Sequence, residues 1–178
     1  MTLVVTPNQD QLYAAMLAFL TGVLPAGVPV IRGLPNRAAM PAPIPGFVLM
    51  QALFQNRLSM PVDTFVTGGN IPPTTATIEQ PIQVPFQIDC YGPSSGSWAA
   101  TVSTAFEDFY GFNALGPNCE PLYANEARMM PLTTEELTYE ERWAVDCHLM
   151  WTPVATIQQQ YADALDLTLV DVQVTYPN

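Results

Sequence analysis

The sequence contains no lysine and a single histidine, His148, and it sets five arginines against 16 aspartates and glutamates for a formal net charge of −11. A stable sequence-independent grip on DNA or on anionic lipid needs basic side chains that displace counterions, and this chain has too few of them. Only 12% of its residues are charged and 49% are hydrophobic, yet no run approaches the roughly 20 apolar residues that span a bilayer. That argues against a membrane protein. The start, Met1 to Pro7, has neither the basic n-region nor the apolar length of a signal peptide, so synthesis in the cytoplasm is expected. Three cysteines, Cys90, Cys119 and Cys147, are an odd number. Two of them fall on the apolar side of predicted strands, which favours buried thiols over a disulfide or a nucleophile. Repeats, low-complexity tracts and a domain linker are also lacking. A chain of 178 residues can bury roughly 70% of its unfolded surface without a metal or disulfide staple, so residues 1–178 are read as one domain.

What the sequence does have is an abrupt change of hydrophobic period between Ile78 and Tyr110. Ile78, Ile82, Val84, Phe86, Ile88 and Cys90 keep one parity and Glu79, Gln83, Gln87 and Asp89 the other, as in a long half-buried strand. The stretch Tyr91 to Ser97, rich in glycine, proline and serine, ends it. Trp98, Val102, Ala105, Phe106 and Phe109 then recur at steps of three and four, which predicts a helix with all five on its buried face. Pro81 and Pro85 lie four apart, so their missing N–H groups face the same side of the ribbon, requiring a sheet edge or a bulge there.

Around this centre, Leu12, Met16, Phe19, Leu20 and Val23 mark a first amphipathic helix, with Thr6 as a cap, Pro7 in the first turn and Asp10 near its positive end. Val28 to Gly33 is a short strand. Four prolines between Leu34 and Gly46 allow only a loop or arm. Phe47 to Phe54 reads as a buried strand, and Asn56 to Val66 as its continuation or hairpin partner, so that Arg57 to Thr77 forms a projecting hairpin or loop. Gly111 to Asn118 is expected to be a loop, and Pro121 to Tyr123 a short strand. Period two returns from Thr138 to Trp151, where Tyr139, Glu141, Trp143, Val145, Cys147, Leu149 and Trp151 share one face that belongs largely to the core. Glu140, Arg142 and Asp146 form a charge ladder on the other side, a solvated face or a subunit contact. A helical turn and a last strand complete the tail. The fold class is α+β: a mostly antiparallel sheet with two main helices packed on one face.

Chemistry is hard to find. Cys147 and His148 are adjacent on a strand and point to opposite faces, so they share neither a proton nor a metal. Cys90 with His148 stays open on sequence alone, although a structural histidine is the favoured reading. Glu135-Glu136 and Glu140-Glu141 lack the spacing and company of a metal site, and Gly68-Gly69 and Gly92-Pro93 are not phosphate loops, since no lysine follows. No catalytic, cofactor-binding or metal residue is assigned, no cofactor is implied, and the chain is expected not to be an enzyme.

Several stretches, in a shared order, resemble the neck and tail terminator proteins of contractile-tailed bacteriophages. They are Pro25-Ala26-Gly27-Val28 with Val30-Ile31-Arg32-Gly33 and Asn36-Arg37; Arg57-Leu58-Ser59 with Asp63-Thr64; Ile88-Asp89-Cys90-Tyr91-Gly92-Pro93; Pro121-Leu122-Tyr123-Ala124; Tyr139-Glu140-Glu141-Arg142-Trp143; Tyr161 to Asp166; and Asp171 to Pro177. The resemblance implies a structural virion protein, a homohexameric ring that ends tail-tube growth and joins the tail to the head around a DNA channel. Its implied partners are the tail tube and sheath proteins and the head–tail connector or adaptor, with DNA passing unbound and no membrane involved. Arginine without lysine suits subunit contacts, because the guanidinium fork bonds carboxylates bidentately. Arg37, Arg57, Glu140 and Arg142 are the candidate interface residues, each weighed against a surface or intrachain role. The alternatives are another connector or tail-completion ring, or a Cys/His enzyme or small-ligand binder.

Overall fold

The computed structural model describes residues 4–33, 41–42, 44–66, 74–133 and 139–159. In chain order the elements are β1 (Val4–Thr6), α1 (Gln9–Val23), β2 (Val30–Arg32), β3 (Phe47–Ala52), β4 (Asn56–Arg57), β5 (Val62–Val66), β6 (Thr74–Glu79) and β7 (Ile82–Tyr91). There follow α2 (Ser95–Phe106), α3 (Phe109–Leu115), β8 (Cys119–Ala124), β9 (Arg128–Met129), β10 (Leu132–Thr133), β11 (Tyr139–Glu140), β12 (Arg142–Trp151) and β13 (Val154–Gln159). The class is α+β as expected, and the strand pairs are antiparallel except for β2 beside β3.

The organising feature is one long antiparallel ribbon, β6–β7 against β12–β13. Trp151 faces Ile82 on one side of a break and Val154 faces Glu79 on the other, so the register runs through without an insertion. Pro81 and Pro153 sit at that break, where each removes a ladder N–H, and the ribbon passes there from one sheet into another. The single long strand expected from Ile78 to Cys90 is thus divided at Gln80-Pro81. On one side lies the larger sheet, ordered β2-β3-β7-β12-β8, with β4 beside β7 and β9 beside β12. On the other lies a four-stranded sheet ordered β1-β13-β6-β5. The hairpin expected between Arg57 and Thr77 is β5–β6 of this second sheet; its tip, 67–73, lies outside the described residues.

Pro81 and Pro85 do face the same side. The carbonyl of Pro85 accepts from the Leu53 N–H and that of Pro81 from the Leu58 N–H, both on the β3–β4 flank. The partner supplies the bulge: Ala52 pairs with Phe86 and Asn56 with Gln83, leaving three residues opposite two. Pro85 is therefore tolerated in a central strand because the neighbouring chain bulges at the missing N–H.

The two main helices cover one face of the larger sheet, and the core lies between. Leu12, Met16, Phe19 and Leu20 of α1 meet Val102 and Phe106 of α2 and Val84, Phe86, Ile88, Val145, Cys147 and Leu149 of β7 and β12. Full burial of such a side chain contributes about 1.5–3 kcal/mol. Phe19 meets Phe106 edge-on at 5.5 Å and Tyr13 meets Phe86 at 5.1 Å, while the Tyr13 hydroxyl accepts from the Ala52 N–H at 3.0 Å. The cap of α1 is Asn8, not Thr6: its side chain accepts from Gln11 N and the Gln11 side chain accepts from Asn8 N, at 3.0 and 2.7 Å, a reciprocal capping box.

Two other expectations change. The segment read as a loop from Gly111 is mostly helical, since α3 runs to Leu115. Gly111 permits the tight α2–α3 junction, where a Cβ would meet the Phe106 carbonyl. Because α2 ends at Phe106, Phe109 leaves the buried face and is 74% exposed. The tail also differs: Val154–Gln159 is strand β13 rather than a helical turn, and what was expected beyond it lies outside the described residues.

Candidate interaction surface

The thiol chemistry left open by the sequence does not assemble. Cys90, Cys119 and Cys147 are free and buried, and burial pushes Cys90 up to about 12 and Cys119 up to about 11, with Cys147 higher still. Cys90 pairs with Trp143 on the core face, whereas His148 pairs with Pro85 on the opposite face. The two stand on different sides of the sheet. His148 stacks on Tyr123 at 4.3 Å and its Nδ1 lies 3.1 Å from the Gln83 amide nitrogen; burial lowers its pKa, with Asp146 opposing. Among the described residues no three His, Cys, Asp or Glu side chains converge to hold a metal, and no helix is long and apolar enough to cross a membrane.

The sheet face away from the helices carries fixed ion pairs. Arg142, at the start of β12, donates to Asp89 Oδ1 from Nη2 at 2.9 Å and Nε at 3.2 Å. Gln87 Nε2 donates to both Asp89 oxygens at 3.0 Å. Asp89 is 4% exposed, so this carboxylate is satisfied inside the chain. Tyr91, stacked on Phe47 at 4.5 Å, has its pKa raised by burial, with Arg142 opposing and Asp89 and Glu140 reinforcing. Next along the face, Arg128 pairs with Asp146 at 2.6 Å. Of the charges expected to run as a ladder along one strand, Arg142 and Asp146 are thus neutralised across strands, while Glu140 lies on the separate strand β11 and makes no ion pair among the described residues. On the helix side, Arg32 bonds Asp10 at 3.0 Å and lies 3.8 Å over the Tyr13 ring.

The four candidate interface residues separate on this basis. Arg37 lies outside the described residues. Arg142 is committed to Asp89, and Glu140 is half-buried on β11 opposite Leu132. Arg57 is exposed on β4 and is the one arginine among the described residues with no ion pair.

Arg57 lies in an unusual setting. Every residue from Leu53 to Phe65 is exposed, and the run includes Leu53, Phe54, Leu58, Met60, Val62 and Phe65, with Met60 81% exposed. A second apolar patch lies on α3, where Phe109 and Phe112 are exposed with rings 6.5 Å apart. A shallow depression beside them is lined by Asp108, Tyr110 and Asn113. Large exposed apolar side chains grouped in this way mark interaction sites. Comparison with known proteins agrees with such a role, since the family of phage neck terminator proteins matches residues 10–178. The chain belongs to that family. No curated protein matches it.

For a neck terminator, the informative surface is what the subunit leaves uncovered. The sequence pointed to Arg57 and to a projecting segment from Arg57 to Thr77, but it placed Leu53 and Phe54 in a buried strand, whereas β3 ends at Ala52 and both are exposed, because an apolar run reads equally as core strand or as subunit contact. Phe112 was missed with α3 itself. Asp89 was placed on the polar parity of its strand, but its pairing with Arg142 depends on a register that no local pattern encodes.

Proposed function

We propose that this neck terminator is a structural, non-enzymatic virion protein that closes into a ring of six copies on the end of the tail tube. The ring stops tail growth and joins the tail to the head connector around the channel that DNA traverses, in contact with tube, sheath and connector or adaptor proteins. The observation that carries this reading is the exposed apolar run from Leu53 to Phe65 in a chain of this family. Head-to-tail contacts between identical subunits bury such surface and close into rings.

The charge balance supports the channel role. With a net charge of −11 per copy, a ring presents phosphates with repulsion rather than retention. Native mass by light scattering over a wide concentration range, followed by negative-stain images, tests the assembly. Closed rings of six, formed alone or on added tail tubes, are the expected result. A chain that stays monomeric even with tubes present overturns it. Retention of duplex DNA by the rings at low salt would overturn the repulsive channel.

A further inference from the structure

We infer that the ring closes through two different surfaces of the subunit, the Arg57 segment of one copy seating against the α3 aromatic patch of the next, with Arg57 meeting Asp108. This rests on the ring reading and names the contact that makes it.

Three observations carry the assignment. The first is composition. The Leu53–Phe65 segment combines exposed apolar side chains with Arg57, which has no ion pair among the described residues. Apolar surface with a central arginine is what energetically dominant contacts are made of.

The second is complementarity. Asp108 is exposed at the start of α3, and its side chain does not cap the helix. It stands beside Phe109 and close to Phe112, both exposed. Its neighbour Glu107 is already used, accepting from the Ala124 N–H at 2.7 Å. Asp63, the acidic residue nearest Arg57 in sequence, makes no ion pair with it. Among the described residues, one surface therefore offers a cation without an ion pair among apolar groups, and the other a carboxylate without one among aromatic groups.

The third is placement. Arg57 pairs with Ile82, Ile82 with Trp151, and Trp151 with Cys119, forming one row across β4, β7, β12 and β8. Arg57 ends that row on one flank of the sheet. Cys119 ends it on the other, four residues after the close of α3, which packs on β8. Three strand spacings, about 14 Å, separate the flanks. The surfaces therefore cannot meet within one subunit. Standing on opposite flanks of the sheet, they propagate from copy to copy as a heterologous contact, which closes when the rotation per subunit allows.

Mixed cross-linking tests the contact. Arg57→Cys and Asp108→Cys proteins are combined and treated with a short bis-maleimide; the native thiols are buried and the unsubstituted chain serves as control. A covalent dimer is expected from the mixture and from neither variant alone. In parallel, Arg57→Glu or Asp108→Arg raises the concentration for half-assembly at least about tenfold, and the doubly reversed chain returns to within about threefold of native. Unchanged thermal melting of the reversed chains shows that the fold is intact. Native rings without the mixed cross-link, dimers within a single-variant sample, or native assembly of both reversed chains overturns the inference and leaves the ring reading standing. A native chain that forms no ring alone or on tubes overturns the ring reading as well.

Discussion

Replacing Arg142 by methionine removes the counter-charge of a carboxylate that has almost no water of its own. The Asp89 side chain is 6% exposed and that of Arg142 19%. Deleting one member of a buried pair costs about 3–5 kcal/mol, because the remaining charge stays desolvated. Two features lower that here. The Arg142 side chain reaches solvent, so its removal admits some water, and Gln87 keeps donating to both Asp89 oxygens. The expected loss is about 2–3 kcal/mol, or about 5–10 °C in Tm for a domain of this size. Asp89→Asn in the same chain neutralises the stranded charge, and the double variant is expected within about 1 kcal/mol of native.

Urea unfolding followed by tryptophan fluorescence, on samples dilute enough to be monomeric, gives the four corners of the cycle with any self-association removed from the stability. Unchanged m-values keep the comparison within one unfolding transition. A loss below about 1 kcal/mol for Arg142→Met would show an ordinary surface pair. Equal losses for the single and double variants would show that packing of the arginine stem, not the buried charge, sets the cost. Either result refutes the reasoning.

Gly46 adopts φ 122°, and a Cβ there would meet the Tyr91 carbonyl and lie 2.8 Å from Trp98 Cη2, so Gly46→Ala is expected to lose more than about 2 kcal/mol in the same assay. Burial lowers the His148 pKa, with Asp146 opposing, so its contribution is fully present above the unfolded pKa near 6.5 and is lost as pH falls through the lower folded value. The urea midpoint should therefore fall between pH 7.5 and 5.5, and fall less in His148→Gln. The raised pKa values of the three buried thiols leave almost no thiolate at pH 7.5. A thiol reagent should titrate none of them in native protein and all three in urea.

The parts of this fold that could be read from sequence are those in which one strand or one helix face has to reach the core by itself. β7 and β12 keep their apolar side chains on a single parity, and α1 keeps Leu12, Met16, Phe19 and Leu20 on one stripe, so burial and helix placement were legible. Pairing was not. Nothing local in Asp89 or Arg142 states that their strands align, and the same holds for Arg128 with Asp146. Pro81 announced a disturbance but not its result, because an edge, a bulge and a passage between sheets all tolerate the missing N–H. Pro85, with the same chemistry, lies inside the sheet because Leu53-Phe54-Gln55 bulges beside it. The α2–α3 junction hid for the opposite reason. Phe109 continued the spacing of the preceding helix, and only a break at Glu107-Asp108 turns it outward.

Salt separates the two electrostatic consequences of this composition. Three of the four described arginines are consumed inside the subunit, so the net charge of −11 is carried by carboxylates outside those pairs, and like copies repel. At about 0.01 M ionic strength the Debye length is about 30 Å, comparable to a subunit, and this whole-body repulsion opposes association. At about 0.15 M it is about 8 Å, and the repulsion is largely screened. The proposed contact between Arg57 and Asp108 lies at short range among apolar side chains, where screening is weak. Burial of Leu53, Phe54, Leu58 and Met60 does not depend on screening at all. Repulsion therefore loses more than attraction does, and assembly measured by light scattering should strengthen as salt rises from about 0.01 to 0.15 M. Weakening over the same range would mean that ion pairs, not apolar burial, hold neighbouring subunits together, and would leave the exposed apolar side chains of the two patches a minor part of the contact.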